Sequence, residues 1–345
     1  MLRLRPTIEP PPAVLAGVKG AMLIGVDHEG RVVWYEDTAA TLELEVALPA
    51  NGSQYIAESN SVVAVLGHDR IVEVSAQGEL LVSLIRDVHF GGAVHHDVTK
   101  YNGKIHALFA DEYTFGGETW ILDGVYVFEG EALIAEWSLF GVADFSDWTP
   151  PGAGYWGLEF DLGVDISHAN GIMVNEDGSI VLSLRHLHTV MEIEGSESPA
   201  FGEVHWSVVG QPTDGVPIES TYTPTSLAHL MPVDFSVQHH ASITKDGTLI
   251  FLDNRENPTV NSRVVEWRLD PAAGIADLIQ EYDTGEWCVV QGGVYELPSG
   301  NLLATCATSQ TVYEFGRDGT LLWTFEPDCG GFLFSSLIRA SPAGW

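Results

Sequence analysis

Three histidine-bearing segments of this sequence have residue types and spacing that could do chemistry. The first runs from Asp234 to Arg255. It opens with His239-His240, passes a Lys-Asp-Gly turn at 245–247 and an apolar stretch at 248–252, and ends on Asp253-Asn254-Arg255. Two other stretches copy this plan: 94–108, with His95-His96, and 167–182, with His168. In each, a histidine stands seven to ten residues ahead of a turn glycine, and a strand pattern follows. Imidazole serves equally as nucleophile, proton carrier or metal ligand. Arg185 ends the Leu-Ser-Leu-Arg run that follows His168. Its guanidinium suits planar, multi-oxygen anions.

Two chemistries fit. In one, a neutral imidazole takes a charged group covalently while the other histidines and Arg185 hold its oxygens and move protons. In the other, the histidines ligate a divalent metal that activates water, with Asp97, Asp165 or Asn254 adding oxygen ligands. No HExxH pattern favours the metal. Nothing matches a P-loop, a Rossmann glycine pattern or a GxSxG elbow. The residues expected at the site are His239, His168, Arg185 and His96 for the reaction. His95, His240, Asn170, Asn254, Trp156 and Tyr155 are expected to bind substrate. The spacing to Gly103 leaves open whether His95 or His96 faces the substrate.

Elements that bring such distant histidines together must repeat. Short period-two strand patterns separated by glycine turns recur along the chain, with unit starts near 54, 96, 168, 239 and 291. Gaps of 42 to 52 residues match four-stranded blades, and the gaps of 72 and 71 match a blade plus a ~20–25-residue insertion. The pattern predicts an all-β, six-bladed β-propeller of four-stranded antiparallel blades. N-terminal strands and a C-terminal strand at 332–338 close the ring and remove exposed sheet edges. Residues 1–20 read as an extended, Pro-rich lead-in, and 21–345 as one propeller domain. Insertions at 143–163 and 211–233 read as lids, because long loops in compact domains are usually functional. A residue at the start of a blade's first strand faces the ring axis, so the histidines should meet at one mouth of the channel.

Composition narrows the partners. The 345 residues carry 48 acids against 15 lysines and arginines, a net charge of −33. Nucleic-acid phosphates would be repelled, and no apolar run reaches the ~18 residues needed to span a bilayer. The N-terminus has no continuous apolar stretch typical of a signal peptide. The chain as written therefore reads as soluble and cytoplasmic, or periplasmic or secreted if a leader was trimmed. Three widely spaced cysteines, Cys288, Cys306 and Cys329, read as free buried thiols.

Four stretches together resemble the bacterial arylsulfotransferase family: 22–37, the His-His-Asp-Val…Asn-Gly-Lys-Ile-His segment, Asp165 to His186, and Gln238 to Asn254. They cover most of residues 20 to 325 in order. The resemblance implies a six-bladed propeller that passes sulfuryl groups from aryl sulfates to phenols, with no nucleotide donor and no metal or other cofactor, through a sulfohistidine. It implies that His239 accepts the sulfuryl group, that His168 and Arg185 hold its oxygens, and that His96 or His95 completes the set.

Overall fold

The computed structural model describes residues 13–18, 22–27, 29–42, 48, 50–142, 163–211, 213, 230–326 and 339–342. The first strands are β1 (Ala13–Val18), β2 (Met22–Val26), β3 (Val32–Asp37), β4 (Ala50–Ile56), β5 (Ser61–Leu66), β6 (Arg70–Ser75) and β7 (Leu80–Ile85). Next come β8 (Ala93–Tyr101), β9 (Lys104–Phe115), β10 (Glu118–Glu129), β11 (Ala132–Ser138) and β12 (Val164–Asp165). Then follow β13 (Ala169–Val174), β14 (Ile180–Leu184), β15 (Thr189–Ile193), β16 (Val204–Val209), β17 (His239–Ile243), β18 (Leu249–Asp253), β19 (Arg263–Asp270) and β20 (Ile275–Asp283). The last are β21 (Gly293–Glu296), β22 (Leu302–Cys306), β23 (Thr311–Phe315), β24 (Leu321–Phe325) and β25 (Arg339–Pro342). Among the described residues, helix is confined to single turns at Thr38–Thr41 and Leu139–Gly141. No helix among the described residues is long and apolar enough to cross a membrane.

These strands form six sheets in a propeller arrangement. The inner strands β4, β8, β13, β17, β21 and β25 each touch the next, and β25 touches β4, which closes the ring. In the closing sheet β25 pairs antiparallel with β1, Ala13 opposite Pro342 and Ala16 opposite Arg339. Three expectations need correction here. The four-stranded plan holds for five sheets and not for a sixth, because β12 adds a fifth, parallel strand to β10. The supposed lead-in contains β1, a working strand of the closing sheet. The closing C-terminal strand is Arg339–Pro342, whereas 332–338 lies outside the described residues.

The sequence pattern explains the layering. Second strands such as β5, β14, β18 and β22 are mostly apolar, and every residue in them is buried. A strand covered on both faces by neighbouring blades needs no polar face. Outermost strands such as β7, β11 and β24 are mostly exposed at their starts. Between the sheets built on β13 and β17, Val181, Val190, Trp206, Phe235, Phe251 and Val265 pack into one cluster. Full burial of a side chain such as Phe251 stabilises by about 1.5–3 kcal/mol. The hairpin turns use glycine where the backbone turns left-handed, as at Gly178 (φ 90°) and Gly247 (φ 76°).

Burial also sets an acid limit on the fold. His106 on β9 is buried, and desolvation lowers its imidazole to about 4 from the usual 6.5. Between those pH values the unfolded chain holds a proton there and the folded chain does not. Stability is therefore full above pH 6.5 and falls as pH drops toward 4, by about 1.4 kcal/mol per pH unit for one such group. His106→Gln should flatten the slope of unfolding free energy against pH by about one proton in that window. Urea unfolding at pH 7, 6 and 5 measures it; an unchanged slope would show that His106 is not buried neutral.

Candidate active site

The extra strand is what builds the site. The β9–β10 hairpin runs on to the Gly116-Gly117 turn, with φ of 62° and 88°. This lengthens β10, and β12 docks on it with Trp120 opposite Val164 and Ile121 opposite Asp165. Asp165 and the next three residues are thereby delivered beside Asp123. Asp123 Oδ2 accepts from Ser167 Oγ at 2.5 Å and from Ala169 N at 2.6 Å, and Ser167 Oγ accepts from Asp123 N at 3.1 Å. His168, between these anchors, projects from a left-handed backbone (φ 46°).

His96 shares that conformation (φ 49°). Non-glycine residues rarely adopt it, and it costs about 1–2 kcal/mol each. The reward is convergence: the His96 and His168 rings lie edge to face with centroids 4.8 Å apart. His186 stacks on the other side of His168 at 4.5 Å. His168 Nδ1 and Asp165 Oδ2 share a hydrogen bond at 2.6 Å, and His186 Nδ1 donates to Asp165 O at 3.2 Å. Behind His96, His95 is wholly buried, its Nδ1 2.8 Å from His96 Nδ1 and its Nε2 2.9 Å from Asp123 Oδ1. The question left by spacing is answered: His96 joins the cluster and His95 backs it.

Electrostatics follow from enclosure. Burial, then the charges of His168, His95 and His239, hold His96 well below 6.5. His168 is held well below 6.5 by burial and by His186 and Arg185. Both rings are neutral at pH 7. Burial raises the Asp165 carboxyl to about 7, with Asp123 adding to the rise and His186, His95 and Arg185 opposing it. Arg185 is itself lowered by burial, against the pull of Glu256 and Asp165. Its backbone N–H bonds His168 O at 3.1 Å. No hydrogen bond to its guanidinium occurs among the described residues.

His239 starts β17. Asn254 locks its ring. The Asn254 Nδ2 group donates to Cys288 O at 2.8 Å and Gln291 O at 3.0 Å, so its Oδ1 faces His239 Nδ1 at 2.8 Å. A carbonyl oxygen only accepts, so the proton sits on His239 Nδ1 and Nε2 carries a lone pair. That lone pair receives the Gln291 N–H at 3.2 Å.

Other expected residues do different work. Asn254 spends all its amide atoms on the protein, so it orients His239 and has none left for substrate. Asn170 donates to Gln238 O at 2.7 Å and ties the two blades together. His240 turns away from the cluster. Its Nδ1 donates to Val294 O at 3.0 Å, and its ring lies 4.1 Å from that of Tyr295. It lines a cavity of about 610 Å³ with Asp97, Tyr295 and the 175–177 and 244–247 turns, at the far ends of the inner strands. Tyr155 and Trp156, and most of both lids, lie outside the described residues. The histidines are also not equivalent by register. Measured from the bulges, Ala169 is the counterpart of His239, which leaves His168 one residue upstream. Sequence reasoning missed Asp123, His186 and the support role of Asp165. The Arg185-His186 adjacency and the His186-Leu187-His188 spacing are the sequence signals for one of them, His186.

Asp165, His168 and His186 offer three ligand atoms within 4.8 Å of one another, enough for a catalytic metal. The 2.6 Å separation of Asp165 Oδ2 from His168 Nδ1 is that of a hydrogen bond between them.

The sequence matches the family model for arylsulfotransferase (ASST) over residues 15–320. The chain belongs to the arylsulfotransferase family. No curated protein matches it. Among solved structures, a protein of unknown function from Bacteroides caccae is 10% identical with a TM-score of 0.53, covering 96% of this chain and 98% of that one. A streptogramin B lyase is 12% identical (TM-score 0.49, 89% and 76% covered). The periplasmic gluconolactonase PpgL of Pseudomonas aeruginosa is 16% identical (TM-score 0.47, 93% and 80% covered). Likeness at this level concerns fold alone.

The reading of free thiols is overturned for two cysteines: Cys288 and Cys306 form a disulfide, with Cα atoms 5.3 Å apart. Both are fully buried. The bridge pins the loop whose carbonyls at 288 and 291 orient Asn254. Replacing the pair (Cys288→Ser with Cys306→Ala) should cost about 3 kcal/mol, the value for a closed loop near this length. Chemical denaturation against wild type under oxidising conditions is the check. A loss under 1 kcal/mol would argue that the bridge contributes nothing.

Proposed function

We propose that this arylsulfotransferase-family chain moves a sulfuryl group from an aryl sulfate to a phenol through a covalent intermediate on His239. One observation carries the reading: Asn254 fixes the His239 tautomer so that Nε2, whose electron pair takes the Gln291 N–H at 3.2 Å, is the nitrogen that can attack once that N–H turns away. In the first half-reaction Nε2 attacks sulfur, the N–S bond forms, and the S–O(aryl) bond breaks to release a phenolate. The Gln291 N–H, weakly held at 3.2 Å, would turn to a sulfuryl oxygen once Nε2 is bonded.

Arg185 and the neutral rings of His168 and His96 receive the remaining sulfuryl oxygens, with Arg185 supplying the positive charge. Asp165, raised to about 7, or its partner His168 supplies the proton that the departing phenolate needs. In the second half-reaction an acceptor phenol gives its proton to the same pair, its oxygen attacks sulfur, and the N–S bond breaks. No cofactor enters either step. Small aryl sulfates and phenols are the partners proposed. A net charge of −33 opposes nucleic acid. The disulfide favours an oxidising compartment, which revises the cytoplasmic reading.

A second reading rests on the Asp165, His168 and His186 set, which could hold a divalent metal in a hydrolase. It would make activity sensitive to chelators and His239 dispensable.

Intact mass after mixing with 4-nitrophenyl sulfate and no acceptor should show a gain of one sulfuryl group. His239→Ala should abolish the adduct and lower turnover by at least 10³-fold. Arg185→Lys should lower kcat/KM by about 10²-fold, because the paired hydrogen bonds are lost. Full turnover by His239→Ala, or activity that vanishes with chelator and returns with metal, would overturn the covalent route.

A further inference from the structure

We infer that the cavity at the far ends of the inner strands is a second ligand site, and that it takes a linear polyamine: several ammonium groups joined by short methylene spacers. The inference does not depend on the sulfuryl-transfer reading. The cavity measures about 610 Å³, within the ~300–1,000 Å³ range of small-molecule pockets. Chain neighbours divide between the two sites. His239 and His96 belong to the reaction cluster, whereas His240 and Asp97 line this cavity.

Oxygen dominates its polar lining. Asp97, Glu176, Asp177, Glu192 and Glu296 face it against one lysine, Lys245, and one histidine, His240. Some of these acids are engaged. Asp97 Oδ2 accepts from Ile172 N at 2.8 Å and lies 3.6 Å from His240 Nε2, where three blades meet. Asp177 accepts from Ser179 at 2.7 Å, and Glu192 bonds Asn175 at 2.9 Å and His205 at 3.1 Å. Lys245 does not balance the rest. Its side chain is 56% exposed, and its Nζ stands 3.7 Å from Glu296 Oε1. Three enclosed oxygens on the lining residues, Gln54 Oε1, Asn175 Oδ1 and Glu296 Oε1, accept no hydrogen bond from the protein. Enclosed acceptors without donors are costly, and a ligand rich in N–H groups supplies the donors.

The arrangement selects the class of cation. Gln54 belongs to β4, Asn175 follows β13 and Glu296 ends β21. These are every second inner strand, so the three oxygens stand apart around the wall. A divalent metal ion needs its ligands to converge on one point. Among the described residues, the acidic and histidine side chains that converge in this way are Asp165, His168 and His186, in the other cluster. A chain with ammonium groups spaced along it matches acceptors that are spaced apart. Ile172, Met173, Ile243 and Tyr295 add apolar surface for the methylenes between them.

Isothermal titration calorimetry with spermidine tests the site at physiological ionic strength, where salt screens general attraction to an acidic chain. Spermidine should bind once per chain. Triethylene glycol, of similar length but uncharged, should not bind. Glu296→Gln should weaken spermidine binding about 10-fold, the effect of losing a charge-assisted hydrogen bond. Gln54→Leu leaves every charge in place and should still weaken binding about threefold, which charge attraction alone would not produce. If one variant fails to fold, the other decides. No saturable heat with spermidine, equal binding of triethylene glycol, or unchanged affinity in the folded variants would overturn the inference.

Discussion

The site depends on how closely the inner strands approach one another. A Cβ added at Gly52 would stand 2.0 Å from His96 O, and one at Gly171 would stand 2.6 Å from His240 Cα. Two neighbouring blades can meet there only because one partner has no side chain. Glycine in a strand interior weakens the strand, and here the loss is offset by contact across the ring. The tight approach in turn holds bulges at 50–52, 94–98, 169–171 and 239–241, and those bulges aim the side chains. Enzymes place strain where the surroundings over-determine it, and the left-handed His96, His168 and His240 all lie in or beside these bulges.

A second constraint is electrostatic. In the proposed reaction a chain of net charge −33 would hold an anionic sulfate, so the pocket would have to oppose the field of the whole molecule. It does so with one cation, Arg185, and with imidazoles that burial keeps neutral. Neutral rings suit a nucleophile, since a protonated one has no electron pair. The nearby carboxylates are then set apart by their partners. Asp123, bonded by two donors and His95, stays ionised; Asp165, buried with fewer donors, keeps a proton near neutral pH. Two acids of one type acquire different states because of what surrounds them.

Much of this was legible in the sequence. The unit starts near 54, 96, 168, 239 and 291 fall in or beside the inner strands β4, β8, β13, β17 and β21. Those strands alternate with glycine turns, and the turn chemistry is local. His96, His168 and Arg185 were likewise visible because they sit in or just after repeated strands. Asp123 was not, since it lies mid-strand in a run that reads as an ordinary second hairpin arm. Its significance arises from β12, a two-residue strand with no pattern of its own. The disulfide was hidden for a related reason: eighteen residues separate Cys288 from Cys306, and only the return of β22 along β21 brings them together. The His95/His96 ambiguity could not be resolved by spacing, because a bulge breaks the two-residue alternation on which facing arguments rest.

The adjacent pair His239-His240 shows why the bulge matters most. In a regular strand the two rings would point to opposite faces of the blade, one on each neighbouring sheet. The break in register between His239 and Ala241 instead lets His239 reach Asn254 in its own sheet. His240 is sent across to Val294 and Tyr295 of the next. One histidine therefore has its tautomer fixed by a side-chain amide that is itself fully bonded, and its second nitrogen takes the Gln291 N–H. The other donates to a backbone carbonyl and seals the seam between blades. Two identical side chains one residue apart acquire different hydrogen-bond partners, and the partner of the proposed nucleophile hangs from a loop held by the disulfide.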